Sequence, residues 1–131
     1  FNLTFRNKRN IKDQLTKYKK NSYKKLRKIL ENNNEKNIIT FCAGSYGKTA
    51  LKILQNSGAK INFIVDNNPM YHRKKVDKFT IKSPKYLEKN FKRLNKLQIF
   101  ICNKEPSIFP VIKLQLKKIG FAEKNIIHFN L

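Results

Sequence analysis

Apolar residues in this chain gather in five short runs, and between the runs they recur every three or four positions. The runs are Ile38–Cys42, Ile61–Val65, Phe79–Lys82, Ile99–Cys102 and Asn125–Phe129. Short apolar runs bounded by polar or turn residues predict strands. Helical spacing links Ala50, Leu51, Ile53 and Leu54, then Leu87, Phe91, Leu94 and Leu97. It returns in Ile108, Ile112, Leu116 and Ile119, the expected inner face of a third helix. The punctuation agrees. Gly58 and Gly120 stand where helices should stop, and Ser83-Pro84 offers an N-cap followed by a proline suited to a first helical position. Asn67-Asn68-Pro69 is turn chemistry, and residues 70–78 are expected to form a basic loop.

Strands that alternate with helices imply right-handed βαβ units and a parallel sheet covered on both faces. The predicted fold class is therefore α/β. It is a Rossmann-like three-layer parallel sheet of about five strands in the order 3-2-1-4-5, preceded by a basic amphipathic helix. The order reverses between the first and fourth strands, and ligands belong at the carboxyl ends of strands at such a point. Cys42, Gly44, Asp66 and Asn103 all fall on that edge.

Ahead of the first strand, Ile11, Leu15, Tyr18, Ser22, Leu26, Ile29 and Leu30 form a narrow apolar stripe. The other faces of this helix carry Lys12, Lys17, Lys19, Lys20, Lys24, Lys25, Arg27 and Lys28. Such a helix packs on its domain with solvated lysines, or binds nucleic acid or an anionic membrane. The expected division is 1–37, a basic N-terminal arm and helix, and 38–131, a Rossmann-like binding domain.

Charge sharpens the question of partners. The chain of 131 residues carries a formal charge of +22. Lys, Asn, Ile and Phe dominate, as an A/T-rich genome encodes, but that bias does not explain only eight acidic residues. The consequence is attraction to polyanions. Residues 1–37 hold twelve Lys/Arg against three Asp/Glu, and the remainder holds eighteen against five. The charge is densest at the N-terminus but spread over the whole chain, and a spread charge signals nucleic acid less strongly than a stripe would. No apolar run approaches the ~20 residues of a membrane span, and no signal peptide is evident. Cys42 and Cys102 fit a reducing compartment better than a disulfide framework, so the expected localisation is cytoplasmic. A first residue of Phe points to a fragment, with missing domains of a longer chain as expected partners.

The candidate chemistry lies in Ile38-Ile39-Thr40-Phe41-Cys42-Ala43-Gly44-Ser45-Tyr46-Gly47-Lys48-Thr49, a strand, a glycine turn and a helix start. Backbone N–H groups and the positive helix end of such a unit can hold a phosphate. Two phosphate motifs compete for these letters. G-x-G-x-x-G and the Walker pattern G-x-x-x-x-G-K-[ST] both fit from position 42, and both miss their first glycine, replaced by Cys42. A P-loop enzyme needs more chain for its magnesium-binding acid and lid. Asp66 lies 22 residues after Gly44, near the offset of a ribose-binding acid, which favours the dinucleotide reading. Gly44 then admits the ligand, Gly47 lets helix and strand pack closely, and Asp66 accepts from ribose hydroxyls. Lys48 adds a cationic contact or is simply a solvated lysine.

The run Gly44 to Leu51, then Phe63-Ile64-Val65-Asp66-Asn67-Asn68-Pro69, then Ile81-Lys82-Ser83-Pro84-Lys85-Tyr86-Leu87, carries a family resemblance. It resembles the small Rossmann-like domain attached to sugar C-methyltransferases, other SAM-dependent methyltransferases and polysaccharide-biosynthesis enzymes. The resemblance covers residues 38 to 129 and leaves the basic helix aside. It implies a domain that binds a nucleotide or nucleotide sugar, or serves as a structural accessory, while chemistry occurs elsewhere. The ligand-edge positions it implies are Gly44, Ser45, Tyr46, Gly47, Asp66, Asn67 and Asn68. With Lys48, Thr49 and Asn103 these make up the expected binding set, and no catalytic residue is expected. Two departures stand out: Cys42 replaces a usual glycine where a dinucleotide pyrophosphate needs room, and Lys78 stands near the glycine that usually precedes the third strand.

Other candidates carry less. His72 and His128 have no Cys, Asp or His at ligand spacing, so no metal site is expected. His72 reads as an exposed loop residue. Cys42 and Cys102 read as two small buried thiols rather than a redox pair. Ser45 lacks a G-x-S-x-G context, and Tyr46 packs at the helix start or covers a ligand. Three functions follow. The first is an accessory nucleotide-binding domain whose cofactor or ligand is a nucleotide sugar, NAD or SAM. The second is an NAD- or SAM-dependent enzyme in its own right, a methyl or glycosyl transferase or a sugar-modifying enzyme. The third is a basic module for nucleic acid or anionic membrane.

Overall fold

The computed structural model describes residues 24, 26–30 and 37–130. The elements run β1 (Asn37–Phe41), α1 (Ser45–Asn56), β2 (Lys60–Val65), a 3-10 turn (Pro69–Tyr71), β3 (Lys75–Val76), β4 (Phe79–Lys82), α2 (Pro84–Lys89), α3 (Phe91–Leu94), β5 (Gln98–Cys102), α4 (Ile108–Ile119), a second 3-10 turn (Glu123–Asn125) and β6 (Ile126–Phe129). The sheet order is β3-β4-β2-β1-β5-β6. All neighbours are parallel except the β3–β4 pair. The five parallel strands thus follow the expected order.

A sixth strand at the edge departs from it. Within the expected basic loop, Val76 pairs with Phe79 across the two-residue turn Asp77-Lys78. Asp77 takes φ +56, the left-handed geometry that such tight turns demand. The apolar stripe from Leu87 to Leu97 is likewise not one helix. The Asn90 amide Nδ2 donates to Tyr86 O at 2.9 Å, and the chain breaks there into α2 and α3. A side chain that bonds the preceding backbone in this way competes with helix continuation.

Period-2 alternation in apolar strands sends neighbours to opposite faces. Ile38, Ile61, Ile64 and Phe100 pack with Ala50, Leu51 and Leu54 of α1. Ile39, Phe41, Phe63, Val65, Ile99 and Ile101 pack with Ile112 and Leu116 of α4. Central β1 is buried from Ile38 to Phe41. Leu26 and Leu30 join the α1-side core, while Lys24, Arg27 and Lys28 face solvent. The rest of the expected basic helix, including Lys12, Lys17, Lys19, Lys20 and Lys25, lies outside the described residues, as does most of the segment 1–37. No helix among the described residues is long and apolar enough to cross a membrane.

This topology places the carboxyl ends of β1, β2 and β5 side by side. Where the chain leaves β1 toward β2 and where it leaves β5 toward β6, it departs in opposite directions, which opens a crevice between them.

Candidate functional site

The turn after β1 is shaped by two glycines with different tasks. A Cβ on Gly47 would stand 2.2 Å from the carbonyl oxygen of Cys42, so only glycine lets α1 lie this close to the turn. A Cβ on Gly44 would meet nothing within 4 Å. That face is open. Lys48 N–H donates to Gly44 O at 2.9 Å as α1 begins, and the first-turn N–H groups of Ser45 and Gly47 precede the first intrahelical bond.

Cys42 holds φ +92, a backbone region that glycine takes freely and other residues rarely do. The turn therefore keeps the geometry of the missing glycine with a side chain present. The Asn103 amide Nδ2 donates toward Cys42 Sγ at 3.8 Å, across the β1–β5 boundary. Burial pushes the Cys42 thiol up to about 11, offset in part by the Asn103 hydrogen bond, while the nearby Asp66 charge adds to the rise. Burial also raises the Cys102 thiol, one strand away.

Asp66 ends β2 with both carboxylate oxygens engaged. One accepts from Ala43 N–H at 2.7 Å and the other from Asn68 N–H at 2.8 Å. The Asn68 side chain then accepts from Met70 N–H at 3.0 Å, which caps the 3-10 turn. Asn67 reaches the other wall, trading hydrogen bonds with Gln115 of α4 at 3.0 and 2.8 Å. Each histidine pins the carbonyl of a residue on this edge. His72 Nε2 lies 2.7 Å from Asp66 O, and His128 Nε2 lies 3.0 Å from Asn103 O. His72 is accordingly half-buried and bonded, not the exposed loop residue expected. His128 is held flat against Phe109, with ring centroids 4.1 Å apart.

A cleft of about 530 Å³ opens at this carboxyl edge, with Cys42 in its lining. Of the expected binding set, Gly44, Asp66, Asn67, Asn68 and Asn103 line it. Ser45, Gly47, Lys48 and Thr49 lie along the start of α1 outside the lining, and Tyr46 packs against the α1-side core. Thr49 turns its hydroxyl back to Ser45 O at 3.3 Å. Sequence reasoning missed Tyr71 on one wall and Ile108 and Val111 on the other. Ile108 is 37% exposed at the cleft mouth rather than on the inner face of its helix. The available signal was Val111, which with Ile108 and Leu114 makes the apolar pattern of α4 wider than one buried face requires.

No protein-family model matches the chain, and no curated protein sequence matches it. Solved structures do. UDP-D-quinovosamine 4-dehydrogenase from Vibrio fischeri matches at TM-score 0.57 and 22% identity, over 72% of this chain and 79% of that one. RSP, a Rex-family repressor, matches at TM-score 0.53 and 19% identity, over 72% of this chain and 52% of that one. RSP is also matched in complex with β-NADH and in complex with β-NAD+ and operator DNA. The fold is Rossmann-like. The match spans about half the length of the Rex-family chain.

Proposed function

We propose that this chain binds a nucleotide of the NAD(H) type across the carboxyl edge of its sheet. The observation that carries this reading is the open face of Gly44 beside the start of α1, at the point where the strand order reverses. A pyrophosphate would approach Gly44, with one nucleoside directed toward Asp66 and Asn68 and the other toward Asn103 and the apolar wall of Ile108 and Val111. Asp66 offers remaining lone pairs to ribose hydroxyls while its first ones hold the turn. The structural likeness to RSP bound to β-NADH supports NAD(H) as the first nucleotide to test.

A nucleotide sugar is the second reading, favoured by the three amides of Asn67, Asn68 and Asn103 along the lining, which suit sugar hydroxyls. Under either reading we assign binding rather than catalysis to this domain. The ionisable side chains of the lining are Asp66, already bonded to two backbone N–H groups, the Cys42 thiol, held protonated, and Tyr71, so no facing acid–base pair is formed. The D-N-N-P and S-P segments support placing it as an accessory part of a larger methyltransferase or surface-polysaccharide biosynthesis protein.

Calorimetry with NAD+, NADH, a UDP-sugar and SAM tests the proposal. Saturable binding of NADH, lost in Gly44→Val, is the expected result. Binding of the UDP-sugar alone selects the second reading, and binding of none of the four overturns both.

A further inference from the structure

A second cleft, of about 320 Å³, lies on the other side of the Asp66 turn. His72, Arg73, Thr80, Lys82, Ser83 and Tyr86 line it, and no carboxylate among the described residues does. Its construction follows from β4, which buries Phe79 and Ile81 and turns Thr80 and Lys82 toward the opposite face. The loop 73–74 is fastened along this edge by Arg73 N–H to Ile81 O at 2.9 Å and Ile81 N–H to Lys74 O at 2.8 Å. Arg73 takes φ +68 to do so. The His72 ring, bonded to Asp66 O, stands in the wall between the two clefts.

Two cations of this cleft have no carboxylate partner among the described residues. Lys82 is half-buried with its ammonium 4.3 Å above the Tyr86 ring, a contact that fixes the cation without neutralising it. The ion pairs of the described residues all involve Glu123, and none of them reaches Lys82 or Arg73. Ser83 occupies the N-cap position of α2, yet its hydroxyl makes no capping bond. The Tyr86 hydroxyl accepts from Arg93 Nη2 at 3.0 Å, which adds a further cation behind the ring.

We propose that this second cleft binds a phosphate monoester, with Arg73 and Lys82 supplying the charge and Ser83 a hydroxyl donor. Arginine and lysine together on a cleft without carboxylates match a tetrahedral dianion better than a neutral ligand. The proposal does not depend on what the first cleft holds. The phosphate is carried either on the molecule in the first cleft or on a separate one.

The test is a titration of the ¹⁵N-labelled chain with inorganic phosphate at constant ionic strength. Saturable shifts at residues 72–74 and 80–84 are expected. Lys82→Gln combined with Ser83→Ala should weaken them at least about tenfold, since both the Lys82 charge and the Ser83 hydroxyl are lost. Lys52→Gln, on the exposed face of α1, should leave them unchanged. If the double variant fails to fold, Arg73→Gln at an exposed position serves in its place. Shifts that do not saturate, or that Lys52→Gln weakens equally, show only an ion atmosphere around a basic protein and overturn the proposal. Repeating the titration with ADP present separates the two sources. Displacement of phosphate places both groups on one ligand, and simultaneous occupation supports two.

Discussion

Asp66 accepts the backbone N–H of Ala43 at 2.7 Å, which ties the end of β2 to the turn that follows β1. Its second oxygen accepts from Asn68 N–H at 2.8 Å, so one carboxylate organises both loops at the cleft floor. In Asp66→Asn an NH₂ group must face one of these backbone donors. Hydrogen bonds to a charged group contribute about 1.5–3 kcal/mol, and a loss of stability in that range is expected. Urea denaturation measures it. An unchanged midpoint would mean that the carboxylate does not hold the turn.

The two glycines of the turn should separate stability from binding. Gly47→Ala drives a methyl onto the Cys42 carbonyl and should cost about 3 kcal/mol, at the upper end for overpacking. Gly44 has φ −69 and open space, so Gly44→Ala should change stability by less than about 1 kcal/mol while weakening nucleotide binding. Thermal melts and calorimetry on the two variants check this. A stable Gly47→Ala protein would contradict the close approach of α1.

Local pattern accounts for much of this architecture. The runs at Ile38, Ile61 and Ile99 are apolar because both sheet faces are covered, and each became a strand in the expected position. Lys75–Val76 escaped notice because a two-residue edge strand leaves no periodicity and sits among lysines. Asn90 did not look like a break, since Leu87, Phe91 and Leu94 keep helical spacing on both sides of it. In the site, Gly44 and Asp66 were legible from spacing along one chain segment. The contacts of Asn67 with Gln115 and of His128 with Asn103 join residues that only the tertiary fold brings together, and no local signal encodes them.

The Asn67–Gln115 amide pair fixes the distance between the polar wall of the cleft and α4. Asn67 is exposed, so water competes for its hydrogen bonds and their net worth is modest. A double-mutant cycle with Asn67→Ala and Gln115→Ala should give a coupling of about 0.5–1 kcal/mol. Additive losses would show that the two amides do not act as a pair.

Cys42 tests the cost of its own backbone. A β-branched side chain at φ +92 is worse than a thiol, and glycine suffers no steric penalty there. Cys42→Val should therefore destabilise by about 1–3 kcal/mol, the range for strained backbone residues. Cys42→Gly should stay within about 1 kcal/mol of the parent, because relief of strain offsets the greater entropy of the unfolded glycine. Melting temperatures of the two variants decide the matter, and an equally stable Cys42→Val protein would show that the turn relaxes to a negative φ.

Buried thiols give the fold a dependence on alkaline pH whose sign is fixed. Burial raises the folded-state ionisation of Cys42 from 9.0 to about 11 and that of Cys102 in the same direction. Above pH 9 the unfolded chain loses these protons first, so it binds fewer protons than the folded chain and stability falls as pH rises. The contribution is fully present below pH 9 and is lost on the way through the folded-state values. The difference between parent and variant at each pH is the informative quantity, because contributions common to both proteins cancel in it. The melting temperature of the parent should exceed that of Cys102→Ala by a margin that is constant up to about pH 8.5 and shrinks from pH 9 to 10.5. The Cys42 thiol should accordingly react slowly with iodoacetamide at pH 7, where little of it is ionised. A margin that stays constant through pH 10.5 would mean that the Cys102 thiol ionises as readily in the folded protein as in the unfolded chain, contrary to its place in the core.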